Sequence, residues 1–281
     1  MENSDPVKDI VPSKELAWYL DDLTGRVTPE IRRLLEEYSK VPADEILRHV
    51  HEIRDKAWAI RPYPCTGLGN FLQPTISLLP VYPEIMSRLK NGASFLDVGC
   101  FLGHDLRKLV FDGASSEHLH GVDIVSHWHL GYELFLDEGR FKAHFMETDL
   151  LKPNAELSAL EGKIDIIQVT HVLHQWGWQG QIQAAKQLAK YTKPGSLIVG
   201  YQAGTAGEAT KEAGESEWHS WMRQNPESWA EMWDVVGKET GTEWKSDAAL
   251  VPFSEIGVRD RDVEYLGPLA RILRFVVTRI R

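Results

Sequence analysis

The chain has 281 residues, of which 43% are hydrophobic and 26% charged, and it carries a net charge of −10. Such a composition is globular and long enough to bury a full core, which sets aside disordered and membrane-spanning classes. A negative balance with no Lys/Arg run longer than Arg32-Arg33 sets aside nucleic acid as a partner, because phosphate needs a positive surface.

The first dozen residues are polar, and Trp18 and Tyr19 mark a short apolar segment after them. Thr28-Pro29 supplies an N-cap with proline at the first helical position, and Ile31, Leu34, Leu35 and Tyr38 recur at helical spacing. The spacing predicts a helix over 29–40. Pro42 opens a second, with Ile46, Leu47, Val50, Ile53 and Ala57 on one face. Residues 61–64 break the pattern, 67–71 form a Gly-rich loop, and 83–89 form a short helix. Strands are expected at 95–98, 118–122, 141–146, 164–169 and 197–201, separated by helices at 105–111, 127–137 and 181–191. Strands and helices alternating at this spacing imply a parallel sheet. Beyond it, 204–214 is rich in Gly, Ala and Glu, and Asn225-Pro226 starts a helix with Trp229, Met232, Trp233 and Val236 in a stripe. Two final strands, 242–251 and 273–280, complete a seven-stranded, mostly parallel α/β sheet. Residues 1–80 read as an N-terminal helical cap and 81–281 as the main domain, with 204–240 as a helical insertion before the last two strands.

The most informative stretch is 94–103, Ser-Phe-Leu-Asp-Val-Gly-Cys-Phe-Leu-Gly. A strand, a turn bearing Gly99 and Gly103, and a helix open a nucleotide-binding unit, where glycines let backbone approach a ligand. The spacing is D-x-G-x-x-x-G and not the G-x-G-x-x-G of dinucleotide sites. Asp97 would repel a pyrophosphate but suits an ammonium group. In such a sheet the ligand lies at the carboxyl ends of the strands, near the switch in strand order. Asp123 ends the second strand, where a carboxylate can accept both ribose hydroxyls. Asp149 and Leu150 follow the third strand, placed for an adenine amino group and ring. The fourth strand runs into Thr170-His171-Val172-Leu173-His174-Gln175-Trp176. His174 there is a candidate for acid–base or orienting chemistry, and Trp176 for a π face toward a cation or an apolar pocket wall. Five of the ten tryptophans lie beyond residue 200, which hints at a large apolar cavity or a subunit contact, with plain core packing equally open.

The D-x-G-x-x-x-G turn resembles the first motif of S-adenosylmethionine methyltransferases. Longer strings resemble, more specifically, the S-adenosylmethionine-dependent methyltransferases of fungal meroterpenoid biosynthesis. These are Tyr63-Pro64-Cys65, Tyr82-Pro83-Glu84, Leu89-Lys90-Asn91-Gly92, Leu130-Gly131-Tyr132-Glu133-Leu134-Phe135, Lys193-Pro194-Gly195-Ser196 and Asn225-Pro226-Glu227-Ser228. The resemblance spans about 63–251. It implies the class I (Rossmann-like) methyltransferase fold, S-adenosylmethionine as cofactor, and Asp123-Ile124 and Asp149-Leu150 as cofactor contacts, beside Asp97, Gly99, Gly103 and Thr170. It also implies a homodimer and methyl-ester formation on the carboxyl group of an apolar polyketide–terpenoid acid. His174 matches an expected histidine, whereas His171 falls where a smaller residue is expected. Trp176 and Trp229 are candidates for the acceptor pocket, which 16–60 and 204–240 are expected to cover. Two alternatives stay open: a phenol or enol acceptor with His174 as general base, and a non-catalytic methyltransferase-like subunit. A polar start, no apolar run of membrane-spanning length and only Cys65 and Cys100 lead to an expectation of a cytoplasmic protein without disulfides. No His/Cys cluster has metal-ligand spacing, so no metal is expected.

Overall fold

The computed structural model describes residues 9–209 and 222–281. β1 (Phe95–Val98) lies inside the sheet, all four of its side chains buried, as a strand covered on both faces requires. β2 (Leu119–Asp123) and β4 (Ile164–Val169) flank it in parallel, placing Asp97 beside Gly121 on one side and Gln168 on the other. β3 (His144–Glu147) adds to β2, and β5 (Thr192–Thr205) to β4. β7 (Ala270–Arg279) pairs antiparallel with β5, and β6 (Trp244–Val251) antiparallel with β7. The order is β3-β2-β1-β4-β5-β7-β6. The chain therefore steps outward through β2 and β3 and resumes on the other side of β1, so strand order switches between β1 and β4.

β5 is much longer than the expected 197–201. Its register with β7 runs from Leu197 opposite Thr278 to Thr205 opposite Ala270, and an irregularity against β4 between Ile164 and Ile166 absorbs Lys193-Pro194-Gly195-Ser196. These four residues stay outside the ladder as a bulge, with Gly195 at φ +86°, so the expected turn is kept inside a longer strand.

Helices cover both faces. α1 (Pro29–Arg33) starts as expected, with Ile31 N–H donating to the Thr28 hydroxyl, but the chain then widens into a π-helical turn, Leu34–Tyr38. The expected single helix over 29–40 is thus two pieces, since a π turn rotates the faces that follow it. α2 (Ile46–Ile60) buries Ile46, Val50, Ile53 and Ala57. α3 (Pro64–Gly67) and a 3₁₀ turn, Asn70–Leu72, occupy the region read as a Gly-rich loop. α4 (Tyr82–Lys90), α5 (His104–Phe111), α6 (Trp128–Phe135), α7 (Ala155–Ser158), α8 (Trp178–Tyr191) and α9 (Pro226–Thr240) follow. Asn225 and Ser228 form a reciprocal capping box at the start of α9.

The period of two along the strands sorts the core. Phe95, Ile166, Leu197, Val199 and Tyr201 pack with residues of α4, α5 and the 253–263 segment. Leu96, Val98, Ile167, Val169 and Ile198 pack on the other face with α8 and α9. α1 and α2 bury their apolar sides against Phe101, Leu102 and the α6 residues Leu130, Leu134 and Phe135. Beneath this contact Arg107 and Asp137, both fully buried, form an ion pair at 3.0 Å, and the Tyr38 hydroxyl donates to Asp137 from the π-helical turn at 2.8 Å. Among the described residues no helix is long and apolar enough to cross a membrane.

Candidate functional site

A cavity opens where β1, β2 and β4 end, roofed by residues that follow α2. Asp97, Gly99, Asp123, Ile124, Asp149, Leu150, Thr170 and Trp176 all line it, so the strand-end rule brings eight of the candidates to one place. Gly103, His174 and Trp229 are not among its lining residues.

The cavity is strongly acidic. Asp97 is 3% exposed, and its carboxyl is raised well above its ordinary range, first by burial and then by Asp105 and Asp123. No described residue hydrogen-bonds it. Asp105, in the first turn of α5, is equally buried but satisfied: it accepts from the Ile76 N–H and from Gln168 Nε2, each at 2.8 Å. Gln168 is the register neighbour of Asp97, so a neutral amide and not a cation fills the space between the strands. Asp123 accepts from the Phe101 N–H at 2.9 Å and the Val125 N–H at 3.2 Å, one on each oxygen, which fixes its carboxylate plane at the end of β2. Asp149 accepts from the Leu151 N–H at 2.8 Å.

The two glycines also answer to contacts within the protein. Gly99 and Gly103 have φ of +77° and +65°, which glycine adopts without strain. A Cβ at Gly99 would lie 2.4 Å from Val172 Cγ2, and one at Gly103 would lie 2.6 Å from Arg107 and 2.8 Å from Trp128. Protein packing therefore demands both glycines. At Gly99 it draws the loop after β4 directly onto the turn.

That loop places His171 against the cavity with φ of 56°, its N–H donating to the Tyr201 carbonyl at 2.7 Å. The His174 ring meets it edge-on, centroids 6.0 Å apart. Both are half-buried. Burial pushes His171 down to about 4; burial, then His171 and Arg223, push His174 down to about 3. His174 Nδ1 and Trp176 Nε1 are enclosed without a hydrogen-bond partner. Trp229 is fully buried, its ring 4.3 Å from Phe275 and 6.1 Å from Trp233, so the tryptophan stripe of α9 is spent on the core of the far face.

A family model described as the meroterpenoid methyltransferase N-terminal domain matches residues 18–72. The O-methyltransferase phiE from a fungal species is 37% identical over 267 residues, covering 93% of this chain and 85% of its own length. The chain belongs to the S-adenosylmethionine-dependent methyltransferase family of fungal meroterpenoid biosynthesis. Another member, the asnovolin E/chermesin D methyltransferase nvfJ of Aspergillus novofumigatus, is 40% identical over 83% of this chain and 86% of its own. Among solved structures, 1,6-didemethyltoxoflavin-N1-methyltransferase of Burkholderia thailandensis superposes with a TM-score of 0.51 at 14% identity, over 73% of this chain and 79% of that one. At that distance the likeness concerns the fold, which is the class I methyltransferase fold.

The N-terminal part of the chain reaches the cavity through a segment not among those expected to cover it. Tyr63, Cys65, Asn70, Phe71 and Thr75 line it, whereas no residue of 16–60 does. No described residue of 204–240 lines it either, and 210–221, with Trp218 and Trp221, lies outside the described residues. Asp105 and Gln168 were also missed. Their signal was present: Gln168 lies two residues beyond Ile166 and so shares its face, which is that of Phe95 and Asp97, and Asp105 lies in the first turn of the helix after the glycine turn.

Proposed function

We propose that this chain transfers the methyl group of S-adenosylmethionine to the carboxyl oxygen of an apolar polyketide–terpenoid acid, forming a methyl ester. The observation that carries the reading is Asp97, a buried carboxyl beside two others with no cation donating to it. Such a group is costly to leave alone and favours a ligand that brings an ammonium. Asp123, its carboxylate plane set by two backbone N–H groups at the end of β2, is the residue for the ribose hydroxyls, and Ile124, Asp149 and Leu150 are those for the base. Thr170 and the Gly99 turn complete the cofactor surface, with Gly103 supporting it from behind.

Bound S-adenosylmethionine supplies an electrophilic methyl group on a sulfonium. The chain's task is to position and to exclude water. A carboxyl acceptor has a pKa near 4 and is already ionised at neutral pH, so no general base is needed. The histidines agree with this: groups held at about 4 and about 3 are poor bases for a phenol with a pKa near 10. Phe71, Tyr63 and Ile256 give the acceptor apolar cover, and a dry wall favours the union of opposite charges. A homodimer in the cytoplasm, with a small apolar acid as partner and neither nucleic acid nor membrane, completes the proposal. The test is incubation with methyl-labelled cofactor and matched apolar carboxylic acids and phenols. Label released as methanol by mild alkali, from acids only, supports the ester; label that stays on phenols refutes it.

A further inference from the structure

We propose that His171, and not His174, holds the acceptor's carboxylate, through a ring N–H presented at the end of β4. The inference rests on the carboxyl-methylation reading and assigns a specific residue to it. His171 lines the cavity and His174 does not. Its backbone is left-handed at φ 56°, a conformation that costs a non-glycine residue free energy and persists only where the surroundings impose it. Here they do so from both sides. The His171 N–H donates to the Tyr201 carbonyl at 2.7 Å, and its own carbonyl accepts from Gln175 Nε2 at 3.1 Å. The neighbouring Val172 sits on Gly99, so the held backbone puts His171 at the same strand end as Asp97 and Asp123. No described residue hydrogen-bonds its ring, and the His174 ring touches it only edge-on.

Charge then selects what this ring is suited to meet. The described lining holds Asp97, Asp105, Asp123 and Asp149 and neither Lys nor Arg. An anionic acceptor entering there is met by neutral donors and by the charge of the bound cofactor. Burial keeps His171 neutral near pH 7, holding it down to about 4. A neutral N–H orients a carboxylate without pairing off the negative charge that must attack. A lysine at this position would form an ion pair that has to be given up as the ester forms.

The test uses the full chain, farnesoic acid as probe acceptor and farnesol as control. His171→Gly accepts the left-handed backbone and removes the donor, while His171→Asn accepts it and keeps an N–H. The Gly variant is expected to bind S-adenosylmethionine within about twofold of wild type by calorimetry. Its KM for farnesoate should rise about tenfold or more, the loss expected for one hydrogen bond to a charged group. The Asn variant should recover most of that rise. In protein labelled with ¹⁵N-histidine, farnesoate but not farnesol should move one imidazole resonance pair, and that pair should be missing from His171→Asn. An unchanged KM in His171→Gly, or equal weakening of cofactor and acid, overturns the assignment while leaving carboxyl methylation standing. A wild-type protein that binds the cofactor yet labels no acid overturns the underlying reading, and the assignment with it.

Discussion

Replacing Asp97 by Asn should have opposite effects on the empty and the loaded protein. In the empty protein the group is buried, and burial, Asp105 and Asp123 raise its carboxyl above the ordinary 3.8. A carboxyl with a raised folded pKa adds stability at low pH and loses that contribution as pH rises through the raised value. Near pH 8, far above the ordinary carboxylate range, Asp97 is therefore a net cost to folding, and Asn removes the ionisable group while keeping the shape. The empty variant should melt at or above wild type near pH 8, and its advantage should shrink as pH falls toward 3.8. The loaded protein behaves in reverse. Asp97 gains a charge-assisted hydrogen bond to an ammonium, worth about 1.5–3 kcal/mol. Its loss lowers affinity for S-adenosylmethionine about 10- to 150-fold. Thermal melts across this pH range, with calorimetric titration of the cofactor, measure both arms. An Asn variant that binds as tightly as wild type, or an empty variant that melts lower near pH 8, would refute the reasoning.

Asp123→Ala should weaken cofactor binding by roughly 2–4 kcal/mol. It should also lower the melting temperature of the empty protein, because the Phe101 and Val125 N–H groups lose their acceptor; calorimetry and thermal melts separate the two effects. His174→Gln should keep appreciable activity and a flat rate between about pH 6 and 8, since His174 stays neutral there. A loss of about a thousandfold, with the remaining rate climbing at alkaline pH, would instead indicate base catalysis on a phenol or enol. Arg107→Leu should destabilise the protein by about 3–5 kcal/mol by leaving Asp137 charged and buried, and Arg107→Met with Asp137→Leu should recover part of that in urea unfolding.

The sheet was legible in the sequence because buried parallel strands announce themselves as β-branched runs, and Asp97, Asp123 and Asp149 fall at successive strand ends. The same logic predicted the acidic mouth of the cavity. Features set by contacts between distant segments were not legible. Residues 29–40 carry one helical period, yet the turn beginning at Leu34 widens. Lys193-Pro194-Gly195-Ser196 has turn chemistry, but the pairing of Thr192 with Ile164 on β4 extends β5 to the far side of it. Trp229 offered an aromatic stripe, and its periodicity does not say which face of the sheet receives it. The roles of Gly99 and Gly103 were hidden for a related reason: their neighbours Val172 and Trp128 are remote in sequence.

The position of β7 also bears on how the chain is made. It is seventh in sequence but sits between β5 and β6, and it is the sheet neighbour that β6 has. A growing polypeptide on the ribosome therefore holds the outer edge of β5 and the whole of β6 without partners until Ala270–Arg279 is synthesised. Those edges invite pairing with other chains in the interval. Closure of the seven-stranded sheet therefore waits for β7, the strand that joins β6 to the rest.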